Sequence, residues 1–564
     1  MKSEFLRTCI NALFDCRGRP ECLSGIQVAV HFRRIAQGRC QINLNFSAGN
    51  RSVPPLITLS FQTLCGIVYI YDKARLLRFW FGLKPIVLFF KPETVEVVLS
   101  SNALLEKTFV YEFLAPWFKQ GLITSSGLKW KRRRRLLTPA FHFRILDDFL
   151  PVIDRHARYL ADKLRGEVGR ESFDLVPYIT LCSLDILCET AMGKYVGAQK
   201  RDTPYVKALN AASHLFGTRF MKPWLWPEFI FSMTSEGRTF KECTNAMDAF
   251  TRSVIRERKA YIVSELKSGV GMEEAFNTDN FGAKRKKAFL DLLLSEHLSD
   301  PKFTEEDITE EVNTFMFAGH DTTAVGMSWA LYLIGQNPIV QKKCQEELEE
   351  VFGDDCSGSL TLDDVKNLKY IECVLKESQR LYPSLPYIGR ESSSDITVNG
   401  YTIPAGTNCM IFTYMLHRDS EVFPDPEKFD PDRFLPENSA VDIPLLMCPS
   451  QLGLGTALVN PEIRHDGAKS SARARAAELR DQILDSQRPT PTHGRDGAQV
   501  LQRNSHTDHA QETLIKLVYN RMLCLGSNIG KWPNVYCQTF ANDQIPMVKY
   551  CSEFQFVNTE RTFD

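Results

Sequence analysis

Apolar residues recur three and four positions apart through most of residues 61–438 of this 564-residue chain, while no sustained period runs through residues 1–60 or the region after 438. The middle zone therefore reads as a helix-rich domain. Short alternating or β-rich runs bounded by Gly and Pro interrupt it at 77–83, 86–90, 396–403 and 410–413, which predicts four strands. The fold class expected is mainly α with small β-sheets. After residue 438 the texture changes to an Ala- and Arg-rich run at 469–480 and a polar stretch at 488–511 broken by Pro489, Pro491, Gly494 and Gly497. So hydrophilic a tail buries too little to offset chain entropy and is expected to be largely irregular, with 514–525 and 548–557 as short ordered pieces.

One helix stands out by length. Thr304, Glu305, Glu306 and Asp307 form a helix-start signature, and no proline follows Pro301 until Pro338. More than 30 residues at about 1.5 Å each would span on the order of 45 to 50 Å. Phe315, Met316, Phe317, Val325, Met327, Trp329 and Leu331 make it apolar on most sides, as for a buried central helix. At its centre sit poor helix formers: Ala318 and Gly319 are followed by His320, Asp321, Thr322 and Thr323. A Thr hydroxyl that bonds the carbonyl one turn back can open or bend the helix and leave a groove with a carboxylate beside it. A Gly/Thr kink that merely lets another element pack closely explains the same residues equally well.

Glu377 and Arg380 lie three apart on a helix predicted over 362–381 and so share a face. The apolar neighbours Ile371, Val374, Leu375 and Leu381 predict partial burial, where such a pair needs a further partner. Arg433 is the candidate. Bulk properties narrow the rest: Lys plus Arg and Asp plus Glu number 68 each, which argues against nucleic acid as a partner. The 16 cysteines show no CxxC pairing and suit reduced thiols. Residues 56–71 are the most apolar early stretch, but Thr58, Ser60, Gln62 and Thr63 interrupt it, and it falls short of the roughly 20 apolar residues of a membrane span.

Taken in order, the basic helix with Trp130 and Arg134, residues 318–323, Glu377 with Arg380, and 429–434 resemble the cytochrome P-450 superfamily of haem-thiolate monooxygenases, most of all its family 4 fatty-acid-hydroxylating branch. Residues 137–143, 174–193, 315–329 and 414–434 carry the likeness further. It covers 61–438, roughly two-thirds of the chain, between an atypical segment 1–60 and a divergent tail 439–564. The resemblance implies the P-450 fold and insertion of one oxygen atom from O2 into a fatty acid or similar lipid. It implies electrons from an NADPH-dependent reductase and residence on the cytosolic face of the endoplasmic reticulum membrane, in contact with the membrane surface. Trp130, Arg134 and Arg390 would hold a haem propionate. Thr322 would hydrogen-bond the dioxygen being activated, and Asp321 would help deliver protons to it. Glu377, Arg380 and Arg433 would form a buried structural network, and residues 131–135 would partly face the reductase. A solvated helix face is an equally good reading of Arg132, Arg133 and Arg135.

Two positions depart from the family. Ala318 stands where the branch often has a glutamate that becomes esterified to the haem, so haem here would be held non-covalently. The pattern Phe-x-x-Gly-x-Arg-x-Cys-x-Gly, whose cysteine supplies the iron's thiolate, does not occur in this sequence. Cys448 lies at a plausible distance but lacks the glycine and arginine before it, Cys524 has Arg521 and Gly526 nearby but the arginine is one place out, and a structural or free thiol suits each better. His417 in their stead would lack a thiolate's electron push. Two further readings stay open: an inactive variant of the scaffold without thiolate-ligated haem, and a haem-free lipid-binding protein.

Overall fold

The computed structural model describes residues 55–438 apart from residues 82, 102, 142–143, 168–169, 171–172, 202, 272–275, 277–288 and 354–360. Expectations for residues 1–54 and for the tail after 438, Cys448 and Cys524 included, lie outside the described residues.

Numbering only the longer helices, the chain runs α1 (Pro55–Ile70), β1 (Leu76–Phe81), β2 (Lys84–Phe89), α2 (Pro92–Ser100), α3 (Gly127–Leu137), α4 (Arg144–Arg165), α5 (Val176–Ala191), α6 (Pro204–Phe220), α7 (Ser235–Lys267) and α8 (Phe289–Ser299). It continues through α9 (Glu305–Gln336), α10 (Pro338–Phe352), α11 (Lys369–Leu381), β3 (Tyr387–Glu391), β4 (Ile396–Val398), β5 (Tyr401–Ile403) and β6 (Asn408–Phe412). Helices dominate, with one four-stranded sheet in the order β1-β2-β6-β3 and a separate β4-β5 pair.

The 32-residue α9 is the axis of the molecule, and α5, α7 and α11 pack on it. Its start is fixed by a reciprocal capping box: the Asp307 N–H donates to Thr304 Oγ1 at 3.2 Å, and the Thr304 N–H donates to the Asp307 carboxylate at 2.8 Å. Three acids in the first turn oppose the positive helix end. Apolar cores lie on several sides of α9. One is shared with α5, α6, α7 and α8; a second with α4, α10 and α11; a third joins its C-terminal half to α1 and the sheet. In the third core Phe61, Cys65 and Val68 of α1 are buried, so one face of the apolar stretch expected at 56–71 is taken up by the protein itself. No helix among the described residues is long and apolar enough to cross a membrane.

Local chemistry explains where the elements differ from expectation. The strand predicted over 396–403 is a hairpin, because Asn399 and Gly400 both take positive φ (50° and 78°), the geometry of a tight two-residue turn. The helix predicted over 362–381 breaks at Leu368, with ψ of 70°. Beyond the break, the Glu347 carboxylate caps α11 by accepting the N–H groups of Tyr370 (2.6 Å) and Ile371 (2.9 Å). Strand β3 was not predicted: its Gly389 and charged Arg390 and Glu391 hide a strand whose register with β6 is set from 20 residues away.

Candidate functional site

The polar centre of α9 keeps its helical ladder. Thr322 Oγ1 donates to the Ala318 carbonyl at 2.9 Å and Thr323 Oγ1 to the Gly319 carbonyl at 2.8 Å. These bonds use the carbonyls' second lone pairs, so the helix stays continuous through them. Close packing is also present. A Cβ on Gly319 would lie 2.9 Å from Leu187 Cδ1 of α5, and Ser183 of α5 donates to the His320 carbonyl at 3.1 Å. His320 is fully buried, its Nδ1 donates to the Met316 carbonyl, and burial lowers its imidazole to about 4. Asp321 and Thr322 remain partly accessible. Desolvation alone pushes the Asp321 carboxyl up to about 7, and its charge reaches buried Tyr205 of α6. A carboxyl without a stabilising cation, titrating near neutrality beside a hydroxyl, is suited to passing protons.

A second group of residues gathers at the start of α3. Ser126, which precedes the helix, accepts the Lys107 N–H at 3.2 Å through its hydroxyl, and Glu106 bridges to Glu391 with the Glu391 N–H donating to the Glu106 carbonyl at 2.9 Å. This pair of contacts brings Lys107 to α3 and to Arg390 of β3 at once. Lys107 Nζ stands 5.9 Å from the Trp130 ring centre, and Trp130 Nε1 is buried with no hydrogen-bond partner among the described residues. Desolvation, then the nearby Arg390, hold the Lys107 ammonium well below its ordinary range, with Glu106 opposing. Burial lowers the Arg134 guanidinium to about 10. Among the described residues no carboxylate pairs with Lys107, Arg134 or Arg390; Arg390 Nη1 donates only to its neighbour Gly389 at 2.8 Å. Half-buried cations around an unused indole N–H have the chemistry of a receptor for a dianion, which a haem's two propionates would fit. Lys107 carried no local sequence signal. It joins the group through the bridge to β3, a contact between residues 285 positions apart in sequence.

The structure places Trp130, Arg134 and Arg390 on these converging elements and Asp321 and Thr322 on α9. Arg133 departs from both earlier readings: it faces neither solvent nor a partner, but lies buried against Asp307 and Glu311 of α9. Arg132 and Arg135 are exposed, Arg132 pairing with Asp300 at 3.0 Å.

Glu377, Arg380 and Arg433 come together in a third group, below α11. Arg380 donates to Glu377 through Nε (2.6 Å) and Nη2 (2.9 Å), and through its remaining N–H groups to the carbonyls of His417, Pro426 and Lys428. Glu377 also accepts Arg433 Nε at 3.1 Å and the Asp430 N–H at 2.9 Å. Both Glu377 and Arg380 are fully buried. His417 lies fully buried beside them, and burial with Arg380 and Arg418 holds its imidazole down at about 3. Of the seven described cysteines six are buried, and burial raises the thiols of Cys182, Cys188, Cys344 and Cys409. Such thiols are packing groups. No group of three or more His, Cys, Asp or Glu among the described residues is placed to hold a metal ion.

Comparison with known proteins identifies the family. The cytochrome P450 family profile matches residues 69–447. Over 379 residues the chain is 45% identical to cytochrome P450 4c3 of Drosophila melanogaster, covering 67% of this chain and 71% of that one. It is 44% identical to cytochrome P450 4V2 of Mus musculus over 395 residues (70% and 74%), and 39% identical to cytochrome P450 4c21 of Blattella germanica over 405 residues (71% and 79%). With the mainly helical fold, small sheets and motif order described above, the chain belongs to the cytochrome P450 superfamily, on its family-4-like hydroxylase branch.

Proposed function

We propose that the chain is built as a haem-dependent monooxygenase that hydroxylates fatty acids or similar lipids. The carrying observation is the unpaired basic group around Trp130, which matches a haem's dianion and lies on the same scaffold as Asp321 and Thr322. Trp130 Nε1, Lys107, Arg134 and Arg390 would hold the propionates. Bound haem supplies the redox chemistry, in which one atom of O2 enters a C–H bond and the other leaves as water, with two electrons and two protons consumed. Asp321 exchanges protons with Thr322, whose hydroxyl gives up its bond to the Ala318 carbonyl to donate forward. Glu377, Arg380 and Arg433 serve as structure. Ala318, fully buried on α9, offers no carboxylate for an ester, so haem is held without a covalent bond.

Electrons come from an NADPH-dependent reductase that docks on the exposed Lys131, Arg132 and Arg135 of α3. Lipid enters from a membrane surface. Phe81 at the tip of the β1–β2 hairpin meets Phe220 (5.5 Å) and Trp226 (5.1 Å), and around this contact Trp80, Leu83, Trp224, Phe229 and Met233 are exposed. Exposed apolar side chains on the segments around this contact suit peripheral contact with the endoplasmic reticulum membrane on its cytosolic side.

A second reading is favoured by one specific observation, the lack of the glycine-flanked cysteine pattern anywhere in the sequence. Under it the chain keeps scaffold and cradle without thiolate-ligated haem and is inactive. Reducing the purified chain under carbon monoxide separates the two. The thiolate-type absorption band establishes the enzyme, haem without that band the inactive variant, and haem-free protein that carries co-purified fatty acid a lipid-binding protein. Where haem is bound, acid-organic extraction is expected to release it; haem left on the polypeptide would overturn the non-covalent assignment.

A further inference from the structure

Arg133 does work that neither neighbour does. Its Nη1 donates to the Asp307 carbonyl at 3.0 Å and to the Glu311 carboxylate at 3.2 Å, its Nη2 pairs with the Asp307 carboxylate, and its guanidinium lies 4.6 Å from the Phe303 ring centre. One turn earlier on the same face of α3, Lys129 pairs with Glu310 at 2.7 Å. The carboxylates also reach the segment that leads into α3: Glu310 accepts the Gln120 N–H at 3.3 Å and Glu311 the Leu122 N–H at 3.1 Å. The acidic first turns of α9 thus hold both α3 and its approach.

Lys129 and Arg133 form one face of α3, and Trp130 and Arg134, each one residue further on, form the adjacent face, about 100° around the helix. The rotation of α3 that seats Arg133 between Asp307 and Glu311 therefore sets where Trp130 and Arg134 point. Lys129 cannot fix it alone, since a half-exposed lysine pair is worth little. Arg133 can: its side chain is 6% exposed and its partner Glu311 fully buried, and a planar fork engages carboxylate and carbonyl in one geometry.

We propose that Arg133 is a positioning residue whose clamp on Asp307 and Glu311 fixes the roll of α3, so that Trp130 and Arg134 converge with Lys107 and Arg390 on the haem propionates. The inference rests on the haem reading of the cradle, but the clamp itself is testable without haem.

The test compares full-length wild type, R133A, R133K, R134A and R133A/R134A by hydrogen exchange and by titration with free haem. In the haem-free chain R133A is expected to speed exchange at least tenfold in residues 120–137 while α11 is unchanged, and R134A to leave both unchanged. In the titration R134A is expected to weaken haem at least tenfold in the wild-type background and less than twofold in the R133A background, because an unseated α3 no longer presents Arg134. R133K should recover part of both effects. Unchanged exchange over 120–137, faster exchange extending to α11, or an equal R134A loss in both backgrounds would each overturn the proposal. If wild type takes up no haem, the haem reading falls, and the exchange measurement alone decides whether the clamp exists.

Discussion

Two basic clusters in this molecule are treated in opposite ways. Below α11, Arg380 and Arg433 are matched by one carboxylate and a ring of carbonyls, so the buried charge is answered from within the chain. Beside α3, half-buried Lys107, Arg134 and Arg390 gather around an unbonded indole N–H; no carboxylate of the described residues forms an ion pair with them, and Glu106 only partly offsets the desolvation of Lys107. The first cluster is complete, and its worth is stability. Under the proposed function the second would be completed by its ligand. Asp321 belongs with the second kind, as a partly accessible carboxyl that desolvation shifts and that no cation of the described residues holds ionised.

The sharpest break of the comparison is E377A. It leaves Arg380 buried without its carboxylate and should cost about 3 to 5 kcal/mol, read as a lower denaturation midpoint. A loss below about 1 kcal/mol would mean that the carbonyls alone satisfy Arg380. D321N should act with the opposite sign. The folded carboxyl titrates at about 7 against an ordinary value of 3.8, so between these values the folded state holds a proton that the unfolded chain has lost. Wild-type stability from this group is therefore full below about pH 4 and lost as pH rises to 7, on the order of 4 kcal/mol in all. D321N should remove that slope and be the more stable chain at pH 8; equal pH dependence in both would show Asp321 to be solvated.

Smaller effects sharpen the second cluster. R390A should leave the ligand-free chain unchanged or up to about 1 kcal/mol more stable by thermal melting, since it removes a repulsive neighbour of Lys107, yet weaken haem about tenfold in a titration. Destabilisation of the ligand-free chain would place Arg390 with the complete cluster instead. The smallest expected change is G319A. A methyl 2.9 Å from Leu187 Cδ1 must displace a flexible side chain, while alanine gains about 1 kcal/mol of helix propensity, so a net loss near 1 kcal/mol is expected by urea denaturation.

Much of this was readable where chemistry is local. The capping box at Thr304, the 32-residue span without proline and the i,i+3 placement of Glu377 and Arg380 all follow from spacing within one helix. The Asn399-Gly400 turn signal was present as well, but an apolar run on either side of it was read through. What stayed hidden depends on contacts across long stretches of chain. Arg133 is indistinguishable by sequence from its basic neighbours until Asp307 and Glu311 are brought against it, and β3 and Lys107 gain their places from partners far away.

The bridge between Glu106 and Glu391 also sets a timetable for folding. During synthesis Lys107 and Trp130 leave the ribosome long before Arg390, and the parallel pairing of β2 with β6 waits for residues 408–412. Contacts so distant in sequence carry the entropy cost of closing a long loop and form late, after the helices near α9 have local reasons to settle. Under the proposed function, haem capture would therefore report that the chain has closed on itself: a nascent or truncated chain ending before residue 390 would have part of the cradle and no means of finishing it, however well its central helix is formed.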